Sequence, residues 1–386
     1  MSTAPTSEPR LLTRAFVLVS MAHFLHAMSI DLYLHLPGYL ASLGASEVSI
    51  GLVFGAGFAS AIAARPIMGR IMDRRGRRPV VLGGGLLTVS ASALYPLVHD
   101  VGLSMVAVRL LHGIGMAMLF AALFAIAADI VPASRRIQGI ALFGISGMLP
   151  MGLSGLLGDR ILQLGTYAQL FLVATGFAAG GLVLSLWLTE PPKDPSAEPP
   201  RGIWAAAREP ALLPVWLGGL AFATSLAAQF TFMKTFVLER GVGSVGLFFA
   251  SYSIAAVLLR LTLGGLPDRV GAKRVLIPSM LCLAVGLGLV ARASTGFEIG
   301  VAGVFAGLGH GFVFPILVGL VVVRSRSSER GAALALFTAL FDAGMMVGGP
   351  VFGAVAHAAG YGAMFGSAAA LVVLGAAVFL YADRGR

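Results

Sequence analysis

Twelve apolar stretches follow one another along the chain, at roughly 15–39, 47–70, 79–98, 101–128, 137–157, 166–188, 211–237, 244–267, 274–293, 297–323, 331–355 and 362–382. Each is about 20 residues or longer, enough for an α-helix rising 1.5 Å per residue to cross the ~30 Å of bilayer hydrocarbon. Backbone polar groups in lipid must be satisfied within the segment, so each stretch predicts a membrane-spanning helix. Composition agrees, with 58% hydrophobic and 11% charged residues and a mean hydropathy of +0.91, far from a soluble domain. The single cysteine, Cys282, lies in an apolar run and excludes an internal disulfide or a cysteine-based metal site. Met1 to Pro9 is polar, has no cleavage pattern of a signal peptide, and is expected to be a cytoplasmic tail.

Charge settles the expected orientation. Between the second and third stretches, Gly69 to Pro79 carries five arginines in eleven residues, too costly for hydrocarbon, where one Arg at a helix centre costs about 2.5–3.5 kcal/mol on insertion scales. Alternate loops together hold 20 of the 27 basic residues, the opposite loops only Arg160, Arg240 and Arg292, and four lie inside stretches. Basic short loops stay in the cytoplasm, so both termini are expected there, in a multi-pass protein of the inner (plasma) membrane. The same bias accounts for the pI of about 10.4 without invoking nucleic acid as a partner.

The pattern around Gly69 returns as Gly264 to Arg274, with Gly69, Asp73, Arg74 and Gly76 displaced by 195 onto Gly264, Asp268, Arg269 and Gly271. Ser49, Gly51 and Arg65 map by the same step onto Ser244, Gly246 and Arg260. A displacement of half the chain means two homologous halves. Thr189 to Pro210, with five prolines before Pro210, reads as a semi-flexible linker. The expected organisation is an all-α membrane protein with residues 1–190 as one six-helix bundle, 191–210 as a cytoplasmic linker, and 211–386 as a second, pseudo-symmetric bundle.

The form Gly-x-x-x-Asp-Arg-x-Gly-Arg-Arg, echoed in the second half, resembles the signature loop of the major facilitator superfamily. Asp31-Leu32-Tyr33-Leu34-His35-Leu36-Pro37 is similar, one residue shorter, to the first-span stretch of the twelve-span drug/proton antiporters of that superfamily. Arg109-Leu110-Leu111-His112-Gly113-Ile114-Gly115 resembles their fourth-span motif with His in place of Gln. Gly147 to Gly155 resembles their fifth-span motif in degraded form, without the adjacent Gly-Pro, and span eleven has Gly349-Pro350 in a similar setting. The resemblance implies alternating access between two bundles, with glycine-rich spans five and eleven pairing across the halves. It also implies a conformational latch built from Gly69, Asp73, Arg74, Gly76, Arg77 and Asp129, echoed by Asp268 and Arg269.

Ionisable groups inside spans are costly and point to function. Asp31 and His35, i and i+4 on one helix, lie about 40° apart and can share a proton. Burial penalises the charged form of a carboxyl, which lets such a group load and release protons; the alternative is a hydrated Asp31 at the outer mouth. Arg109 is implied by the resemblance to couple protons, with His112 as a titratable neighbour on its face; otherwise it snorkels to water. Asp129 closes span four beside the basic loop, as a latch partner or a plain helix-end charge. Asp342, with Gly344 beside it, reaches a wet cavity for a cationic group or second proton, or makes a local hydrogen bond. Met28, Met116, Phe120, Gln229, His310 and Phe314 are candidate cavity residues, although spans of this composition also turn such residues to lipid. His23 and His26 stand on neighbouring faces of the first span while Asp31 points well away from His26, so one helix does not gather the three as metal ligands.

No nucleophile–base pair, phosphate loop or metal cluster is present, which argues against an enzyme and against any cofactor. The expected protein is a monomeric secondary transporter that exports a drug or metabolite in exchange for protons. The alternative is a proton-coupled uptake symporter for a sugar, organic acid or similar nutrient.

Overall fold

The computed structural model of the chain describes residues 11–132, 136–190, 206–326 and 329–384, and among them there are helices and connections but no strands. The first half comprises α1 (Arg14–Asp31), a 3₁₀ turn (Leu32–His35), α2 (Leu36–Ser42), α3 (Glu47–Arg75), α4 (Arg78–Leu94), α5 (Leu103–Ile130), α6 (Arg136–Leu164) and α7 (Tyr167–Ser185). The second comprises α8 (Leu213–Arg240), α9 (Val245–Leu263), the short α10 (Leu266–Val270), α11 (Ala272–Arg292), α12 (Gly296–Arg324) and α13 (Arg330–Ala382). Ten segments are long and apolar enough to cross a membrane, the first of them running through α1, the 3₁₀ turn and α2. One of the ten, α13, has 53 residues and is two helices joined at Gly360, whose φ of 80° and ψ of 167° break the helix. With the 29-residue α6 the described helices correspond to the twelve expected spans.

Polar residues just before the apolar runs set where helices begin. The Ser46 and Ser244 hydroxyls accept from the amides of Ser49 and Leu247 at 3.3 and 3.0 Å. Thr166 with Gln169 and Thr295 with Glu298 form complete capping boxes, each supplying partners for amides that a helix start leaves unpaired. Glycine ends the helices at the basic loops. Gly76 and its repeat counterpart Gly271 have φ of 92° and 99°, a left-handed region where a side chain would be strained. Pro37 sets the break in the first span: it removes an amide donor, and the helix tightens to 3₁₀ pitch over Leu32–His35 immediately after Asp31.

The duplication is visible in the packing. Gly113 on α5 lies against the carbonyl of Gly57 on α3, and Gly307 on α12 lies against the carbonyl of Tyr252 on α9. The step that relates the halves carries Gly57 onto Tyr252, and carries Gly113 to within one position of Gly307. Two seams join the halves, α3 with α13 and α6 with α9. At the first, Gly51 meets Gly349; at the second, Gly246, the counterpart of Gly51, meets Leu156 and Gly155. Small residues let backbones touch, which is how helices associate in lipid, where apolar burial between them gains little. The glycine-rich spans five and eleven therefore pair across the halves as the resemblance implied, each with its symmetry-related partner. Residues 191–205 of the expected linker lie outside the described residues; beyond them Ala206 and Leu212 are buried in the main apolar cluster.

Candidate functional site

The loops rich in arginine mark one end of the molecule, called here the basic end. At that end Arg77 Nε lies 2.6 Å from Asp129 on α5. The amides of Arg77 and Arg78 donate to the two carboxylate oxygens of Glu190 at 2.8 and 2.9 Å, and Arg78 Nη2 donates to the Leu186 carbonyl at 2.9 Å. Gly76 leaves room for that carboxylate, since a Cβ there would collide with it. Asp73 is engaged as well, and nothing lies within 4 Å of a Cβ placed at Gly69. The second half repeats the arrangement with Asp383 at the end of α13, paired with Lys273 at 2.9 Å and with both terminal nitrogens of Arg324 at 2.7 and 3.1 Å. Lys273 is the repeat counterpart of Arg78, while Asp268 and Arg269 on α10 are both exposed. In each half a carboxylate from the last span thus grips the basic loop.

Midway along the first seam, Arg65 of α3 reaches across to α13. Its Nε donates to Asp342 Oδ2 at 2.9 Å, a second guanidinium nitrogen closes on the same oxygen, and Nη1 donates to Thr338 Oγ1 at 3.1 Å. Asp342 is therefore committed to an ion pair between the halves. Farther from the basic end the cross-half contacts become denser. Asp159 of α6 accepts from the Gly246 amide of α9 at 2.6 Å, pairs with His35 of the 3₁₀ turn at 3.1 Å, and has Lys234 of α8 at 3.8 Å. At the same end Glu47 of α3 bonds His357 of α13 at 3.1 Å. A cavity of about 330 Å³ between the halves is lined there by Glu47, Ile50, Thr235, Glu239 and Tyr361.

The first-half bundle holds a buried cation among aromatic rings. Arg109 is 3% exposed, its guanidinium lies 4.6 Å from the centre of the Phe54 ring, and Nε and Nη1 have no hydrogen-bond partner among the described residues. Tyr33, Tyr95 and His112 lie close enough to feel its charge. His112 stands edge-on to Tyr33 at 4.4 Å, and its Nδ1 faces the Tyr95 hydroxyl at 3.4 Å. The structure brings Arg109 and His112 together but leaves Asp31 and His35 out of this group. Asp31 is half-buried at the end of α1, with no hydrogen bond or ion pair among the described residues. His35 turns to Asp159 because four residues of 3₁₀ pitch carry a side chain about 120° around the axis, not the roughly 40° of an α-helix.

The remaining sequence candidates scatter. His23 bonds Ser146 at 2.8 Å and stacks on Phe143, while His26 bonds Ser185 at 3.3 Å, so the two histidines tie α1 to α6 and α7. Met28 is buried, and its carbonyl accepts from Ser154 at 2.9 Å. Phe120 is 43% exposed beside Phe124. Met116 is half-buried on the same helix. In the second half His310 bonds the Tyr252 hydroxyl, and Phe314 lies 6.3 Å from His310 and 5.5 Å from Phe341. Gln229 is fully buried, with neither amide atom hydrogen-bonded among the described residues.

The chain is matched by a family model described as Major Facilitator Superfamily over residues 16–245 and 215–386. The chain belongs to that superfamily. It is a multi-span membrane transporter and not an enzyme. It is 28% identical over 392 residues to the MFS-type transporter YhhS of Escherichia coli, with 96% of this chain and 94% of that one aligned. It is 32% identical over 197 residues to the multidrug resistance protein MdtL of Klebsiella pneumoniae, covering 50% of this chain and 49% of the other. Among solved structures, the nucleoside transporter NupG superposes with a TM-score of 0.77 at 15% identity, covering 97% of this chain and all of that one, a likeness of fold.

Four participants escaped the reading of the sequence. Asp159 follows the sequence-based end of span five at 157, so it reads as a loop residue until the helix is seen to run on to Leu164. Glu190 and Asp383 stand at span ends, where a charge is ordinary. Arg65 carried one signal, its repeat with Arg260, but nothing in the sequence pairs it with Asp342.

Proposed function

We propose that this superfamily member exports a small molecule, a drug or metabolite, by alternating access in exchange for protons, with Asp31 as the proton carrier. The observation that carries the reading is that Asp31, deep inside the first span (Arg14–Ser42), has neither an ion pair nor a hydrogen bond among the described residues. Asp129, Asp159 and Asp342 are all engaged. A charge at that depth is costly, and a carboxyl with no fixed partner can shed that cost by taking a proton. Its position next to the change of helical pitch ties protonation to the part of the first span that bends. The similarity to MdtL over half the chain supports export as the direction. Residues 1–190 and 211–386 rock as two bundles on the linker 191–210. The protein works as a monomer in the inner membrane, its basic end and both termini in the cytoplasm.

One proton crossing 100 mV releases about 2.3 kcal/mol, which supports roughly a fifty-fold gradient of a neutral substrate. The test is flux in vesicles containing the purified protein under an imposed pH gradient. Export by exchange moves substrate against the proton flow, and Asp31→Asn abolishes the proton-driven flux while leaving substrate binding intact. An unchanged pH dependence in that variant refutes the role of Asp31, and substrate moving with the protons identifies an uptake symporter.

A further inference from the structure

Four basic residues lie inside spans: Arg65, Arg109, Lys234 and Arg260. Two of them meet carboxylates, Arg65 at Asp342 and Lys234 at Asp159. Arg109 has no carboxylate, but it is packed against Phe54 and Gly57 and almost wholly enclosed, which leaves no space for a ligand. Arg260 is different.

Arg260 is the repeat counterpart of Arg65, and it stands at the counterpart seam, α9 against α6. At the Arg65 seam the facing helix supplies Asp342 and Thr338. The same displacement carries Asp342 onto Gly147, and Gly144, one turn before it, faces Arg260: an added Cβ there would lie 3.1 Å from Arg260 Nη1. Gly147 itself turns toward His23 of α1, so among the described residues the facing helix sets Gly144 against Arg260 and no carboxylate. Arg260 is half-buried and forms no ion pair among the described residues; its Nε donates to the Gly311 carbonyl at 3.0 Å. A guanidinium has five donors in a fork that fits an oxyanion, so most of this one is unmatched. Along the same seam Met148, Ala256 and Val257 form an apolar cluster with Ile145, within a turn of Gly144 and Arg260.

We propose that Arg260 and the glycine face at Gly144 form a subsite for an oxyanion, a carboxylate or phosphate carried on an apolar body, which takes the place of the missing counterpart of Asp342. The transported compound is then an amphipathic organic anion. The broken symmetry of the two seams is the reason: one is closed by its own carboxylate, and the other waits for one. This deepens the reading of the chain as a small-molecule exporter and rests on it for the ligand being cargo.

The test compares three probes of one shape, 4-phenylbutyrate, its uncharged amide and 4-phenylbutylamine, by thermal shift of the purified full chain. The anion stabilises the wild-type protein, while the amide and the amine do not. Arg260→Gln weakens the apparent affinity for the anion by about tenfold or more, the loss of a charge-assisted contact. Gly144→Asp, which sets a carboxylate beside Nη1, abolishes the anion effect with Arg260 in place and the fold retained. Equal stabilisation by the amide, no stabilisation by the anion, or an anion effect that survives Gly144→Asp overturns the subsite. Vesicle flux separates the two readings. Proton-driven movement of the amine or amide without the anion keeps the exporter and removes the subsite, whereas anion binding without proton-driven movement of any probe keeps the subsite and removes the exporter.

Discussion

Asp383 is fully buried at the end of the last span, with Lys273 and Arg324 closed around it. Burial alone would raise its carboxyl, but hydrogen bonds from Arg324 and Lys273 outweigh that and hold it below the usual carboxylate range. A carboxyl depressed in the folded state adds stability that is complete above its unfolded value and is lost as pH falls through the folded one. The melting temperature of the wild-type protein is therefore expected to fall as pH drops below about 4. Asp383→Asn is expected to cost about 2–3 kcal/mol at pH 7 and to remove that part of the acid dependence; melting curves of the two proteins from pH 7 to 3 check this. At this scale the sequence revealed which residues are unusual but not whom they meet. Asp31 and His35 read as neighbours by α-helical spacing, and the 3₁₀ turn ahead of Pro37 sends His35 to another helix.

Helices are joined here by absence as much as by contact. Gly246 on α9 stands so close to α6 that a Cβ would lie 2.7 Å from the Leu156 Cα. Gly51 and Gly349 make the same approach at the other seam. A side chain at either place has no way out, because the obstacle is backbone and not a flexible side-chain tip. Gly246→Leu is expected to cost about 1–3 kcal/mol in thermal stability, the usual penalty of overpacking, and to hold the end opposite the basic loops apart. Faster modification of a cysteine placed at Ile50 in a Cys282→Ser background measures that opening, and unchanged reactivity counts against it. The glycine spacing and its repeat were legible, and the expected spans begin within two residues of the caps at Ser46, Thr166, Ser244 and Thr295. The break at Gly360 was legible too, as the gap between the expected spans 331–355 and 362–382; that the two helices meet there without an intervening loop was not.

Over the whole molecule, the two halves touch by backbone at the end opposite the basic loops, at Gly51 with Gly349 and Gly246 with Leu156. Toward the basic end Arg65 bridges them by pairing with Asp342, while Arg260 reaches toward Gly144 without an ion pair among the described residues. The charged centre of the tight end is Asp159, which joins the 3₁₀ turn, α8 and α9 through His35, Lys234 and the Gly246 amide. Opening that end breaks all three. Asp159→Asn weakens the clamp by about 1.4 kcal/mol or more, a shift of about tenfold in the balance of the two forms. The same cysteine at Ile50, 1% exposed in this form, is expected to gain reactivity by that factor, and an unaltered rate refutes the clamp.

The sequence by itself determined the class, the number of spans, the duplication and the superfamily. Each of these follows from hydrophobic length and from an echo half a chain away, properties that need no knowledge of neighbours. Only the tertiary structure decided the pairings: Arg65 with Asp342, His35 with Asp159, and Arg260 with no carboxylate among the described residues. An ion pair between helices from opposite halves of the chain depends on how two bundles rotate against each other, and the periodicity of one helix carries no record of the other's orientation.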